Sequence, residues 1–247
     1  MIYLKSLEEI EIMKRNGAIL RSCLETAREM AKPGVKKQDI DLAIEALILK
    51  EKAKPAFKGF HGYPASTCIS VNEEVVHGMP NGRVLESGDV CGIDIGVLKD
   101  GYYADAARTF AIGEISAAAQ KLLDVTEAAL ERGIAKATPG NRLSDISHDV
   151  ETHAVDNGFS VVKTLVGHGI GQRMHEEPQV PNFGPPSQGP KLEEGLVIAI
   201  EPMINAGKGE VFTLDDGWTV VTADGSLSAH FEDTVAITEN GPEILTR

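Results

Sequence analysis

Apolar residues recur at helical spacing from the start of the chain. Ser6-Leu-Glu-Glu9 has the form of a capping box, and Ile10, Met13, Ile19, Leu20, Leu24 and Ala27 follow at helix-like spacing. Lys32-Pro33-Gly34 predicts the stop. A second helix is predicted over about residues 38–52, with Ile40, Ile44, Leu47 and Ile48 on one side. Residues 55–64, PAFKGFHGYP, break the period with glycine, proline and aromatics and read as a loop. Strand-like text follows at 66–71, 89–98 and 102–112, with Lys99-Asp100-Gly101 as a hairpin turn. The order then repeats. Helical text runs over 116–137, Thr138-Pro139-Gly140 breaks it, and a further helix is predicted over 143–156. Strand-like text returns at 159–165, 196–204, 219–222 and 227–237.

The letters repeat as well. Ala31-Lys-Pro33-Gly34-x4-Asp39-Ile40 matches Ala137-Thr-Pro139-Gly140-x4-Asp145-Ile146 at an offset of 106, with five of ten positions identical. A Pro-Gly helix stop is common enough to arise by chance, but the shared order of elements favours duplication. The expected architecture is α+β, one domain over 1–247. Its two halves, about 1–112 and 113–247, each run helix–helix–strands, with the sheet buried under helices. A cleft is expected where the halves meet.

Composition narrows the partners. The 247 residues are 42% hydrophobic and 25% charged, which excludes disordered, collagen-like and coiled-coil chains. Lys plus Arg is 24 against 37 Asp plus Glu, a net charge of −13. Such a chain repels phosphate, so neither nucleic acid nor an anionic membrane surface is an expected partner. The first residues, MIYLKSLEEIEIMK, carry charges throughout and lack the apolar stretch of a signal peptide. The longest strongly apolar run, 196–200, is far short of the roughly 20 residues of a membrane helix. Cys23, Cys68 and Cys91 are odd in number and have no Cys-x-x-Cys spacing, so a reduced, cytoplasmic setting is expected.

Acidic residues then appear where strands should be apolar. Asp94 sits in VCGIDIGV and Asp105 in YYADAA, on either side of the predicted turn. With the midpoint inside that turn, the two face each other, Cβ atoms roughly 4.5–5.5 Å apart. Facing carboxylates in an apolar sheet repel and lose hydration, each at an effective cost of several kcal/mol. A solvent-facing edge hairpin is one resolution, and a dication between them is the other. The second half repeats the oddity with Glu201, after the apolar LVIAI, and Glu232, in HFEDTV. His168 lies in Gly167-His-Gly169-Ile-Gly171, read as a glycine-rich loop with room for close approach. Two Asp, two Glu and one His form an oxygen-rich ligand set suited to Mn, Fe(II), Co or Mg-like ions better than a thiolate zinc site. Four carboxylates balance two dications, and a hydroxide between two metals is a nucleophile at neutral pH. His77 and His175 each precede turn residues, and a neutral His there can hold a substrate amide or polarise its carbonyl. His61 is a candidate for the same cleft, whereas His148 and His153 are expected on a helix surface.

The stretches HGYPASTCISVNEEVVHGMP, GIDIGVLKDGYYADAARTF, GHGIGQRMHEEPQVPNF, IAIEPM and DGWTVVTADGSLSAHFEDT together closely resemble the type I methionine aminopeptidases. Their pita-bread fold is shared with prolidase, aminopeptidase P and creatinase. The resemblance spans essentially the whole chain. It implies two pseudo-symmetric halves around a mostly antiparallel curved sheet. The implied activity removes an initiator methionine, preferably before a small second residue, by attack of a dinuclear-metal-activated hydroxide on the first peptide bond. It implies that Asp94, Asp105, His168, Glu201 and Glu232 hold two divalent ions (Mn, Fe(II) or Co). Asp105 and Glu232 would bridge them, Asp94 would chelate the second, and His168 and Glu201 would complete the first. His77 would contact substrate near the scissile nitrogen, His175 would polarise the carbonyl, and Glu201 would pass a proton to the leaving amine. Phe60, Tyr63, Cys68, Met174 and Trp218 match positions around the methionine pocket. Implied partners are nascent polypeptide N-termini, with ribosome docking left open, and the implied state is a cytoplasmic monomer. The zinc-binding N-terminal extension of some eukaryotic members is not expected.

The chain departs from close bacterial relatives at several positions. Phe57 and Val76 stand where Cys is frequent in the pocket region, and Met174 where an aromatic is common. Gly92 and Gly96 replace an Asn and a Thr that often flank the metal aspartate. These bear on pocket shape and metal preference and leave all five ligands in place. The alternative activity within this fold is proline-directed peptidase action, which usually accompanies an extra N-terminal domain. A metal-free binding module would be expected to have lost ligands.

Overall fold

The computed structural model describes residues 1–247. Helices α1 (Leu7–Met30) and α2 (Lys37–Lys50) lead to β1 (Lys54–Pro55), β2 (Thr67–Val71), β3 (Glu74–Val76) and the hairpin β4 (Val90–Lys99) and β5 (Tyr102–Ala111). Helices α3 (Ala117–Lys136) and α4 (Leu143–Asp156) precede β6 (Ser160–Val161), β7 (Gly167–Gly169), β8 (Glu176–Val180), β9 (Val197–Ile200) and β10 (Met203–Asn205). The chain ends through β11 (Val211–Thr213), β12 (Val220–Thr222), β13 (Ser228–His230), β14 (Glu232–Thr238) and β15 (Gly241–Ile244). The main sheet has nine strands, ordered β1-β4-β5-β14-β9-β7-β8, with β2 on β4 and β15 on β14, all pairs antiparallel. Two three-stranded sheets, β13-β10-β6 and β11-β12-β3, flank it.

Each helix pair covers its own part of this sheet. Leu20 and Leu24 of α1 and Ile40, Ile44 and Ile48 of α2 pack on Ile93, Ile95, Ala104 and Ala106. Leu122 and Leu130 of α3 and Ile146 and Val150 of α4 pack on Ile198, Ile200, Val235 and Ile237. The predicted capping box closes α1: Glu9 N–H donates to Ser6 Oγ at 3.3 Å and Ser6 N–H to Glu9 Oε2 at 2.7 Å. The repeated letters make equivalent contacts. Gly34 and Gly140 donate to Leu85 and Leu192, and Lys37 and Leu143 donate to Arg83 and Pro190.

Strand alternation follows from this packing. Ile93, Ile95 and Val97 face the α1–α2 core, so Asp94 turns to the opposite face of β4. Ala104 and Ala106 send Asp105 the same way on β5. Val235 and Ile237 do so for Glu232 on β14, and Ile198 and Ile200 for Ala199, which pairs with His168. The face away from the helices therefore collects the acidic residues.

Several expectations need correction. The hairpin turns on two residues, Asp100 (φ 51°) and Gly101 (φ 82°), with Lys99 opposite Tyr102. Asp94 consequently pairs with Ala107 and Asp105 with Gly96, so the aspartates are diagonal rather than facing neighbours. Residues 167–169 form a strand inside the sheet, not a loop. A Cβ at Gly167 would lie 2.4 Å from Ala199 O and one at Gly169 2.2 Å from Glu177 O, so close approach by neighbouring backbone requires these glycines. Strand 196–204 breaks at Glu201-Pro202, where proline has no N–H to give, and strand 227–237 breaks at Phe231. Only Ser160–Val161 of 159–165 is a strand.

Candidate metal centre and active site

One cavity of about 980 Å³ opens on the face that carries Asp94, Asp105 and Glu232. Asp94, Asp105, His168, Glu201 and Glu232 line it, together with His77 and His175. So do Phe60, Tyr63, Cys68, Met174 and Trp218. His61 reaches it too, whereas His148 is exposed on α4 and His153 is partly buried there. All twelve residues proposed from sequence thus share one space.

The polar end is crowded with acid. Potential ligand atoms of Asp105, His168 and Glu232 all lie within 4.8 Å of one another. Asp94 and Glu201 stand outside this tight trio. His168 Nε2 is 3.7 Å from Glu201 Oε1 and 3.9 Å from Asp105 Oδ2. Asp94 Oδ1, Asp105 Oδ1 and Glu232 Oε1 are buried without a hydrogen-bond partner. Burial pushes the Asp94 carboxyl up to about 7 and Glu201 up to about 8. Asp105 and Glu232 rise well above the carboxylate range, by desolvation first and the neighbouring carboxylates second. Burial, reinforced by His175, lowers His168 to about 4, which keeps it neutral. His168 Nδ1 lies 2.9 Å from Gly169 O, where it donates as N–H and leaves the Nε2 lone pair turned to the carboxylates. Orphaned acidic oxygens and an imidazole in its ligating tautomer fit divalent cations.

Carboxyls whose folded pKa exceeds the unfolded value, about 4, bind more protons when folded. Their stabilising share is complete below that value and is lost as pH rises through 7 to 8. The melting temperature of metal-free protein should fall between about pH 5.5 and 8.5, and Mn should raise it more at the upper pH. A metal-free melting temperature that climbs over this range would contradict the carboxylate cluster.

The apolar end is built around Cys68, which pairs with Asp94 across β2 and β4. Ala56, Phe57, Tyr63, Ala65, Cys68 and Met174 form one buried cluster, with Phe60 and Trp218 against it. Tyr63 and Trp218 meet edge to face, centroids 5.2 Å apart, and the Tyr63 hydroxyl donates to Thr67 O at 3.0 Å. Phe60 meets His175 edge-on at 5.3 Å.

The structure ties three of the sequence departures together. A Cβ on Gly96 would come within 2.7 Å of Ala56 Cβ, 2.8 Å of Phe57 Cε1 and 3.2 Å of Met174 Cε. Phe57 and Met174 occupy the volume that a Thr at 96 would need. Gly96→Thr should destabilise the fold by about 1–3 kcal/mol, and part of that loss should return when Phe57→Cys is added. Denaturant melts check this. Equal losses in both backgrounds would uncouple the positions. At Gly92 a Cβ would lie 3.4 Å from Thr109 Oγ1, which donates to His230 O at 2.8 Å and accepts His230 N–H at 2.9 Å. Val76 lines the cavity beside His77.

Sequence reasoning missed His230. It is 4% exposed, and its Nε2 lies 3.6 Å from Glu201 Oε2 with no hydrogen-bond partner. Its place two residues before Glu232 was the available signal.

A carboxylate–imidazole centre at the end of an apolar pocket is an arrangement that metal-dependent hydrolases use. The model of metallopeptidase family M24 matches residues 11–239, and the chain belongs to that family. A methionine aminopeptidase of Clostridium perfringens is 54% identical, over 100% of this chain and 99% of that protein. The crystal structure of a methionine aminopeptidase from Thermotoga maritima superposes with a TM-score of 0.99 at 44% identity, covering 100% of both chains. A prolidase from Pyrococcus furiosus reaches 0.81 at 26% identity, covering 99% of this chain but 65% of the prolidase. The fold is the pita-bread fold, a curled antiparallel sheet backed by four helices.

Proposed function

We propose that this protein is a metal-dependent aminopeptidase that removes the N-terminal, initiator methionine from nascent proteins and peptides, preferably when the second residue is small. The observation that carries the reading is end-to-end similarity to methionine aminopeptidases. The apolar pocket of Tyr63, Cys68, Met174 and Trp218, which suits a thioether, supports it. Prolidase matches less closely and is a longer chain, which disfavours the proline-directed alternative.

Asp94, Asp105, His168, Glu201 and Glu232 would hold two divalent ions, Mn, Fe(II) or Co. Bound ions would neutralise the carboxylates, polarise the scissile carbonyl and lower the pKa of water. The chain's own groups do the rest. The pocket takes the methionine side chain and excludes water from it. His77, lowered to about 4 chiefly by burial, is neutral and can hold the scissile amide. His175, lowered by burial and by His61, can donate N–H to the carbonyl oxygen as negative charge grows there. Glu201 would accept the proton of the attacking water and return it to the departing amine. The products are free methionine and a chain one residue shorter.

Residues 1–247 would act as one catalytic unit whose halves meet near residue 112. Its partners would be polypeptide N-termini, including those emerging at the ribosome. The setting is taken to be the cytoplasm, where three free thiols stay reduced, and the state a monomer. No helix is long and apolar enough to cross a membrane. A peptide panel tests the reading: Met-Ala-Ser should be cleaved well, Met-Leu-Ser poorly and Xaa-Pro dipeptides not at all. Equal cleavage of the first two would remove the small-residue preference. Preferred cleavage of Xaa-Pro would overturn the substrate class.

A further inference from the structure

The turn between β7 and β8 carries four cavity residues, Gln172, Arg173, Met174 and His175, yet residues 171–175 belong to no helix or strand. A few contacts fix its path. Tyr103 N–H donates to Gly171 O at 2.8 Å. Arg173 N–H donates to Glu176 Oε1 at 3.1 Å. The other Glu176 oxygen accepts Lys5 Nζ at 2.6 Å, and the two side chains are only 4% and 6% exposed.

Lys5 is itself seated. Its N–H donates to Gly195 O at 2.6 Å and its Nζ also donates to Tyr3 O at 3.1 Å. Gly171 lies against the pair: a Cβ there would sit 2.5 Å from Lys5 Cε and 2.8 Å from Glu176 Oε1. The turn keeps a residue without a side chain where the ion pair passes. Burying two charges offsets much of their attraction, so such a pair adds little net stability. Its value lies in fixing geometry. Glu176 is tied at both oxygens, and it is joined by one peptide bond to His175, whose ring stands edge-on to His168, centroids 4.5 Å apart at 81°.

We propose that Lys5 and Glu176 are positioning residues for His175. The N-terminal segment, through Lys5, clamps the turn so that the His175 ring is presented to the scissile carbonyl. The proposal rests on the role assigned to His175 above. Neither Lys5 nor Glu176 needs to touch substrate.

The test is a cycle between Lys5 and His175, two residues that need not touch. Lys5→Met should lower kcat by about 10–100-fold, with KM and metal content nearly unchanged, because small misplacements of a catalytic group act on the transition state. In a His175→Ala background the same substitution should leave kcat where His175→Ala alone puts it, since the group being positioned is gone. If Lys5→Met fails to fold because Glu176 keeps an unpaired charge, Glu176→Gln is read instead. It removes the charge, keeps the acceptor for Arg173, and should show the same silence without His175. An equal fold-loss in both backgrounds, or no loss in kcat beside an impaired His175→Ala, would overturn the clamp. An unimpaired His175→Ala enzyme would instead remove the role of His175 itself.

Discussion

Asp105→Ala should leave a folded protein that no longer retains its divalent metal, with kcat/KM down by at least about 10³-fold. The magnitude follows from losing several kcal/mol of transition-state charge stabilisation, at roughly 1.4 kcal/mol per tenfold. The fold should survive because β5 is held there by its backbone. Asp105 N–H donates to Thr234 Oγ1 at 3.1 Å, and Thr234 returns a bond to Asp105 O at 2.8 Å. The side chain itself is a burden without a cation: buried, unpartnered at Oδ1 and pressed by Asp94 and Glu201. Metal-free Asp105→Ala should therefore melt higher than the metal-free parent and gain nothing on adding Mn. Phe60→Ala, which trims a half-buried ring at the pocket wall, should lose less activity and keep its metal. Metal analysis with calorimetric melts decides the matter. Unchanged metal content in Asp105→Ala would remove Asp105 from the centre.

His175→Ala should behave differently. The imidazole lies beside the centre, 4.5 Å from the His168 ring, and Phe60 packs on it. As a donor to an oxygen that gains charge only as the reaction proceeds, it strengthens toward the transition state. Losing one such donor lowers kcat by about 10²–10³-fold. KM should change modestly, and metal content and melting temperature should stay near the parent values. Metal loss would make His175 a ligand. An unchanged kcat would make it a packing residue of the pocket wall.

Much of this site was legible in the sequence because it violates local physics. Asp94 and Asp105 stand at positions that alternation assigns to an apolar sheet, and Glu201 ends an apolar run. Register was less legible. It depends on which two residues turn the hairpin, and a shift of one residue in the turn moved Asp94 from facing Asp105 to facing Ala107. Strand β8 was hidden because EEPQV is polar at its exposed positions, and β11 because it is mostly exposed. The Lys5–Glu176 pair was beyond reach, since its partners lie 171 residues apart and nothing in either local pattern marks the other. The glycines around His168 were read as a loop with room for close approach; they lie instead in a strand, and the close approach is that of Ala199 and Glu177 in the sheet.

Metal add-back on a defined substrate is the sharpest test of metal dependence. The protein, stripped of metal and shown to be so by elemental analysis, is given Met-Ala-Ser, and free methionine is measured as Mn, Fe(II) or Co is titrated in. The expected result is no hydrolysis in the stripped protein and recovery of turnover with added ion, while Asp105→Ala stays silent throughout. Full turnover by protein proven free of metal would contradict a metal-dependent centre at Asp94, Asp105, His168, Glu201 and Glu232.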